Sequence, residues 1–465
     1  MPSFQLPVLD QPELPSAALP IDGRRRAIHP ADVSGRFHRA RNVVFAALIL
    51  LWASLPWIRV GGHPALFIEV DARELYLFGA TFNSQDTWLL FFLLTGIGFG
   101  LVYATALAGR VWCGWACPQT VFLEGVYRRI ERWIEGPREK RLRRAAGPWN
   151  ADKVARRVAT HALYLLASLL IAHIFLSYFA SLPKTFAMVR QRPAAHPEAF
   201  AWVVAMTGLF YLNFAWFREQ LCVVLCPYGR LQSAMLDEHS LVVGYDAKRG
   251  EPRGKVGTEG AGDCVDCKRC VVVCPTGIDI RNGVQMECLA CTACIDACDD
   301  IMDRLGRPRG LVRYDSQDGL AGKPRKILRS RVVFYTGLLV VGMVVAFLTV
   351  RTRNDFEATL LRFPGGEPYT IEDGSVRNAM QLHLVNKRTA PERYRVEVDP
   401  TDGMSVLLPM TTVVVAALGD TRVPMFLSVP RQQFRGEFSV RVRITHDDGQ
   451  GGAAIVTGTF LGPSS

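Results

Sequence analysis

The chain lacks two features that would assign it to a nicotinamide enzyme or a secreted protein. No dinucleotide-binding fingerprint is present, because Gly96, Gly98 and Gly100 lie inside an apolar run without a preceding strand. We therefore expect no bound nicotinamide cofactor. The first 40 residues contain no early apolar core and no small-residue cleavage site, so we expect no cleaved signal peptide. The first apolar run would then be an uncleaved membrane anchor.

Long apolar runs are the dominant feature of the composition. Hydrophobic residues make up 49% of the 465 residues, which favours a membrane protein. Five runs approach or reach the roughly 20 residues that cross a bilayer as a helix. They are Asn42–Ile58, Thr87–Ala108, Ala159–Ala180, Ala199–Phe217 and Val332–Val350.

The net charge of +11 does not indicate nucleic-acid binding, because the basic residues cluster where a membrane protein places them. They precede the first run, fill the connection between residues 128 and 157, and precede the fifth run. The connections after the first and third runs contain few. The positive-inside rule then predicts a cytoplasmic N-terminus, five crossings and an exported C-terminal domain.

Cysteine is absent from every segment predicted to be exported. The sequence has 12 cysteines, and none follows Cys298. All 12 lie in predicted cytoplasmic segments or at the helix ends beside them. Thiols on the reducing side of a membrane favour metal or cluster binding over disulfides.

Eight of the cysteines form two consecutive C-x2-C-x2-C-x3-C runs, the ligand pattern of a protein with two [4Fe-4S] clusters. In that pattern the last cysteine of each run serves the other cluster. We assign one cluster to Cys264, Cys267, Cys270 and Cys298, and the other to Cys274, Cys288, Cys291 and Cys294. Structural zinc also accepts C-x2-C ligands, but eight cysteines in this register with Pro275 favour iron–sulfur clusters.

The other four cysteines belong to a duplicated signature, in which an arginine is followed by C-x3-C-P. Its two copies contain Cys113 and Cys117 before Pro118, and Cys222 and Cys226 before Pro227. On a helix, cysteines four residues apart share a face, so two such hairpins could bring four thiols to one site at the cytoplasmic membrane edge. Soft thiolates favour Cu(I) and iron–sulfur centres. The alternative is that these cysteines only pack, since free cysteine is commonly buried.

These features predict a multi-domain α+β membrane protein. After Arg351 the sequence changes to short alternating runs separated by turn residues, and about seven strands suggest an immunoglobulin-like sandwich. We divide the chain into a mobile cytoplasmic tail (1–41), a four-helix membrane domain with the two C-x3-C-P hairpins (42–236), a cytoplasmic ferredoxin-like dicluster domain (237–331, core 263–303), a fifth transmembrane helix (332–350) and the exported sandwich (351–465).

This order of parts resembles the CcoG proteins, also called FixG or RdxA. The resemblance rests on two C-x3-C-P hairpins, the segment from Cys274 to Gly283, a fifth span and a β-sandwich. It implies a multi-pass protein of the bacterial inner membrane with a periplasmic sandwich, which reduces Cu(II) to Cu(I) for assembly of cbb3-type cytochrome oxidase. The implied partners are oxidase assembly factors and copper transporters or chaperones. The electron donor is not identified by the sequence.

We hypothesise that Cys113, Cys117, Cys222 and Cys226 bind the copper or relay the electron. Two other functions are compatible with the sequence. The four spans, paired signatures and dicluster domain also resemble quinol-oxidising components that serve periplasmic nitrate and nitrous oxide reductases. A third function is an assembly scaffold whose clusters sense redox state without turnover. The fifth span and the exported sandwich favour the copper hypothesis.

Overall fold

The computed structural model describes residues 28–60, 63–70, 74–82, 87–351, 355–363, 367–388, 390–399, 403–417, 419–447 and 452–463. The chain forms two compact units, which meet in the sequence at Met343 and Val344. The first unit contains the cysteine-rich region and the helices before it, and the boundary divides the last long helix, Ser330–Arg351. The second unit contains the end of that helix and the β-sandwich. The predicted division into five domains stays a prediction.

Fifteen α-helices are present in the described residues. They are α1 (Arg36–Ser54), α2 (Thr87–Ala108), α3 (Val111–Trp115), α4 (Pro118–Phe122), α5 (Arg128–Glu135), α6 (Arg138–Ala146), α7 (Ala151–Ala180), α8 (Leu182–Val189), α9 (Pro197–Tyr211), α10 (Pro227–Met235), α11 (Ala247–Gly250), α12 (Arg269–Val272), α13 (Ala293–Arg304), α14 (Gln317–Leu320) and α15 (Ser330–Arg351). Three π-helical segments interrupt them, at Leu123–Tyr127, Leu212–Phe217 and Leu221–Leu225.

Four helical segments are long and apolar enough to cross a membrane: Leu89–Ala108, Ala151–Ala180, Pro197–Phe217 and Ser330–Arg351. They coincide with four of the five predicted spans. Most of their apolar surface is exposed, and only 6% of the last one is buried. Exposed apolar surface of this extent is expected where lipid replaces water.

The first predicted span, Asn42–Ile58, differs from the other four. The helix here is α1, which ends at Ser54 and whose first two turns are basic, so its apolar part is short for a crossing. Even so, its end lies against the end of α7, where the Tyr178 hydroxyl donates to the Trp52 carbonyl and the two rings stack. The membrane crossing by Asn42–Ile58 therefore stays a prediction, and this contact supports it.

The predicted mobile tail, residues 1–41, falls mainly on residues 1–27, which lie outside the described residues. The remaining part is ordered. Ile28 and Ala31 are buried, and the Ala31 amide donates to the Val272 carbonyl in the cysteine-rich region. Helix α1 then begins at Arg36.

Strands in the first unit are short. β1 (Arg59–Val60) pairs with β2 (His63–Pro64), and β3 (Leu66–Glu69), β4 (Glu74–Leu77) and β5 (Ala80–Phe82) form an antiparallel sheet. In the cysteine-rich region, β6 (Val242–Tyr245) pairs antiparallel with β7 (Val312–Asp315) beside α12 and α13. This strand pair with two helices provides the ferredoxin-like frame for the cysteine runs.

The second unit is an immunoglobulin-like sandwich of two antiparallel sheets. One contains β8 (Phe356–Arg362), β9 (Thr370–Glu372), β10 (Ser375–Asn386), β12 (Ser405–Leu407) and β14 (Asp420–Pro430), and the other contains β11 (Glu392–Val398), β13 (Thr412–Val415), β15 (Phe438–His446) and β16 (Ala454–Phe460). Along β15, Val440, Val442 and Ile444 are fully buried between exposed arginines. This period-two alternation fills the core without a disulfide.

Candidate metal centres

The two cysteine runs fold into two adjacent cavities. The first cavity is lined by Cys264, Cys267, Cys270 and Cys298, together with Arg281 and apolar side chains. These are the four cysteines assigned to one cluster from the sequence. Three come from the first run, and Cys298 reaches the cavity from the end of the second run, on α13.

The second cavity is lined by Cys274, Cys288, Cys291 and Cys294, with Cys270 shared between the two cavities. These four are the ligands assigned to the other cluster. All 12 cysteines are free thiols. Four thiols around each cavity suit a [4Fe-4S] cluster, in which each iron takes one thiolate. The ligand assignment stays a prediction, and the grouping of the cysteines supports it.

The two runs share an unusual backbone. Asp266 and Lys268 in the first run, and Ala290 and Thr292 in the second, all have φ between 49 and 64°. These positions flank the second cysteine of each run. A positive φ is uncommon for residues other than glycine and costs free energy, so its repetition indicates a loop shape that function requires. The loop turns an amide toward sulfur, since the Ala290 N–H lies 3.5 Å from the Cys288 Sγ.

Burial raises the pKa of several thiols in these cavities. It raises the pKa of Cys288 and of Cys298 to about 12 in each case. The thiols are therefore protonated at neutral pH when no metal is bound, and iron must displace these protons when it binds.

The four cysteines of the duplicated signature also converge. Burial raises the pKa of Cys113 to about 11 and that of Cys222 to about 12, and the latter also reflects interaction with the thiols of Cys117, Cys113 and Cys226. The two hairpins therefore bring the four thiols within electrostatic range of one another. They lie beyond the cytoplasmic ends predicted for α2 and α9.

The prediction that the two cysteines of each pair share one face of a single helix is wrong. Cys113 lies in α3 and Cys222 in a π-helical segment, but Cys117 and Cys226 have extended backbones, with ψ of 126 and 110°. The cause is the following proline, which disfavours helical conformation in the residue before it. Each helix therefore breaks at the second cysteine, and a new helix starts at Pro118 or Pro227.

A polar cluster that the sequence analysis missed surrounds Cys113. Its thiol donates to the Gln232 Oε1 at 3.1 Å, and the Arg110 Nε donates to the same oxygen at 3.2 Å. Gln232 is fully buried and its amide nitrogen lies within hydrogen-bond distance of the Thr105 and Tyr228 hydroxyls. The repeated arginine of the signature was the available signal for Arg110, whereas nothing in the sequence singled out Gln232.

The signature thiols touch the second cluster cavity. Cys113 and Cys222 belong to one apolar cluster with Cys291 and Leu289. A Cβ on Gly114 would lie 2.6 Å from the Leu289 carbonyl oxygen and 2.7 Å from that of Ala290, so the backbones are in direct contact. Arg110 lies between the two sites, since its charge acts on Cys113 and on Cys288.

The second signature arginine has a different role. Arg218 donates to both carboxylate oxygens of Glu131, at 2.5 and 3.3 Å, and Arg141 and Tyr164 also donate to that carboxylate. Glu131 and Arg218 are both buried. Burial alone would raise the pKa of Glu131, but the charge and hydrogen bonds of Arg218 lower it to about 2. This network anchors the second hairpin to α5.

Within the described residues, no three histidine, cysteine or acidic side chains lie close enough to hold a single metal ion. For the two cluster cavities this is expected, because each thiolate of a cubane binds a different iron. For the four signature thiols it means that a single bound ion would have to draw the side chains together.

Comparison with protein families identifies each of these regions. A family described as a 4Fe-4S dicluster domain matches residues 217–317, and one described as a 4Fe-4S binding domain matches residues 88–140. The latter stretch contains only two cysteines, Cys113 and Cys117. Residues 346–463 match a family described as the Ig-like fold at the C-terminus of FixG.

Curated relatives are similar over most of the chain. Protein RdxA of Cereibacter sphaeroides is 38% identical over 431 residues, which cover 89% of this chain and 91% of RdxA. The nitrogen fixation protein FixG of Rhizobium meliloti is 36% identical over 449 residues, which cover 87% of this chain and 84% of FixG. Protein RdxB of Cereibacter sphaeroides is 34% identical, covering 85% of this chain and 87% of RdxB.

Proposed function

Because the chain belongs to the FixG/RdxA family of membrane iron–sulfur electron-transfer proteins, we propose that it reduces Cu(II) to Cu(I) at its membrane-edge thiols. The proposed substrate is a copper ion bound by Cys113, Cys117, Cys222 and Cys226. Each copper takes up one electron, and the product is the ion that soft thiolates prefer.

The observation that carries this proposal is the contact between the thiol site and the second cluster cavity. Cys113 and Cys222 share an apolar cluster with Cys291, and Gly114 lies against the backbone of the Leu289–Ala290 turn. When bound, [4Fe-4S] clusters supply single electrons. On this proposal a one-electron carrier site and a soft-metal site lie against each other, with the apolar cluster and Arg110 between them.

The residues around Cys113 prepare the thiol site for a cation. Gln232 accepts the Cys113 proton in a hydrogen bond and so orients the sulfur. Arg110 is buried, and within the described residues it has no carboxylate partner. Its positive charge lowers the cost of forming thiolates at Cys113 and Cys288, against the effect of burial.

Further parts of the proposal concern the cell. The basic connections favour a cytoplasmic thiol site and dicluster domain, with the sandwich in the periplasm of a bacterial inner membrane. Reduced copper would pass to the assembly of a cbb3-type oxidase through copper transporters or chaperones. We expect no nucleic-acid partner. A separate donor would supply the electrons.

Serine substitution tests the thiol site. In a variant with Cys113, Cys117, Cys222 and Cys226 all changed to serine, we expect cupric reduction by dithionite-reduced protein to be abolished. The iron and acid-labile sulfide of the eight-cysteine region should remain, because those cavities have their own ligands. Unchanged reduction would exclude these thiols from the reaction.

A quinol assay separates the proposal from its main alternative. If the protein is instead a quinol-oxidising component, it will oxidise quinol rapidly with a soluble electron acceptor and without copper. If it only senses redox state, chemically reduced protein will not convert Cu(II) under anaerobic conditions.

A further inference from the structure

Five arginines line one cavity at the basic end of α1. The cavity has a volume of about 530 Å³ and also contacts Pro275 of the second cluster cavity. Only two acidic side chains, Asp32 and Glu124, line it. The arginines are Arg41, Arg128, Arg129, Arg132 and Arg141. We call this space the arginine cavity.

Three of the five arginines have carboxylate partners. Arg128 pairs with Glu124 and Glu219, Arg132 with Asp32, and Arg141 with Glu131. These pairs account for both acidic residues of the lining.

Arg41 and Arg129 have no carboxylate partner among the described residues. Arg41 is 6% exposed, and its Nη1 donates to the Cys291 carbonyl at 2.8 Å. Arg129 donates to the Asn42 side-chain oxygen at 2.8 Å. A buried cation without an anion is costly, so Arg41 leaves the arginine cavity with an uncompensated positive charge, to which the exposed Arg129 adds.

Three arginines that line the arginine cavity also have N–H donors without acceptors among the described residues. Arg41, Arg128 and Arg141 are each more than nine-tenths buried, and each keeps an Nε–H without an acceptor in the described part of the chain. Buried donors normally have partners. An anion with several oxygens would supply the missing charge, and arginine suits phosphate because its planar guanidinium can bind two oxygens.

An apolar part of the lining also belongs to α1, the helix that contains Arg41. Val43 and Ala46 of α1 line the arginine cavity and are exposed, two and five residues after Arg41. The Arg41 guanidinium lies 5.0 Å from the centre of the Phe45 ring. A ligand here would meet cations at one end and an apolar helix surface at the other. That is the polarity of a phospholipid at the cytoplasmic face, where anionic headgroups concentrate.

We propose that the arginine cavity binds a phosphate group, and that its source is the headgroup of an anionic phospholipid whose acyl chains follow α1. The site is separate from the copper chemistry and does not depend on it. Bound phosphate would neutralise Arg41 and Arg129, and so fix α1 against the loop that carries Cys291.

Native mass spectrometry of the delipidated full-length protein tests this proposal. We expect retention of one added phosphatidylglycerol, and much weaker retention of phosphatidylcholine. In R129Q, which loses a cavity cation that makes no described contact with the cluster loops, phosphatidylglycerol affinity should fall about tenfold. R143Q is the matched control, because Arg143 is exposed on α6 and does not line the cavity. Iron content should be equal in all three proteins.

Calorimetric titration with inorganic phosphate distinguishes the two sources. Phosphate that binds without lipid, displaces phosphatidylglycerol and loses affinity in R129Q would keep the phosphate site but assign it to a soluble ligand. Equal retention of both lipids together with no phosphate binding would overturn the proposal. Equal loss of binding in R129Q and R143Q would also overturn it, because the effect would then be one of general surface charge.

Discussion

Gly114 is the residue at which the thiol site and the cluster loops come closest. Its missing side chain lets α3 approach the carbonyl oxygens of Leu289 and Ala290, which belong to a backbone that already contains two positive φ angles. Neither partner is a flexible side chain. The close approach therefore depends on glycine.

The substitution G114A should separate the two sites. Because an added Cβ would lie under 3.0 Å from two backbone oxygens, we expect a shift of α3 and a destabilisation of about 1–3 kcal/mol. The rate of cupric reduction should fall by more than cluster content does. G208A is the control, since a Cβ there would meet nothing within 4 Å. Equal rates in G114A and wild type, measured by stopped-flow spectroscopy, would argue against this contact as the electron route.

Metal binding by Cys113 and Cys222 requires these thiols to release their protons. Burial raises the pKa of Cys113 and Cys222 to about 11 and 12, so both are thiols at neutral pH and metal binding must displace their protons. Cu(I) affinity should therefore rise with pH between 6 and 8, by about tenfold per unit for each proton released. Competition with a chelator of known affinity measures this, after correction for the chelator's own protonation. A pH-independent affinity would mean that these thiols are not ligands.

At the scale of elements, the sequence predicted periodic features well and local exceptions poorly. Four spans and the strands of the sandwich follow from hydrophobic runs and alternation, which depend only on nearby residues. The breaks at Cys117 and Cys226 are a local exception that the sequence does indicate, because Pro118 and Pro227 would disturb or end a helix there. The π-helical segments and the pairing of Glu131 with Arg218 depend on packing between distant segments, which a single sequence does not reveal.

The Glu131 network should stabilise the second hairpin. E131Q leaves Arg218 and Arg141 without their carboxylate, and breaking a buried pair in this way costs about 3–5 kcal/mol. Thermal unfolding in detergent should show the loss, whereas E139Q, an exposed position on α6, should resemble wild type. The pKa of Glu131 is depressed to about 2 from an ordinary 4.5, so its contribution is complete above pH 4.5 and is lost as the pH falls toward 2. E131Q should remove that part of the acid dependence, and an unchanged acid profile would contradict the assignment.

At the scale of the whole molecule, the two compact units have separate cores. The apolar core of the sandwich contains only residues from Phe356 to Phe460. The eight cluster cysteines and the four signature cysteines all lie in the first unit. The cysteines and the core of the sandwich therefore belong to different units.

A chain ending at Arg351 should accordingly retain its clusters. We expect the truncated protein to bind the same amount of iron as the full chain and to reduce Cu(II) in vitro at a similar rate. Iron analysis and a colorimetric Cu(I) assay measure both. Loss of iron on truncation would show that the sandwich stabilises the first unit.

The most direct test of the central claim is a single-turnover experiment. The full-length protein is reduced anaerobically with dithionite, freed of excess reductant and mixed with Cu(II) and a Cu(I)-specific chelator. We predict that the absorbance of oxidised clusters returns as Cu(I) forms, with one Cu(I) for each electron lost. Clusters that remain reduced in the presence of Cu(II), with no Cu(I) formed, would contradict the proposed cupric reductase activity.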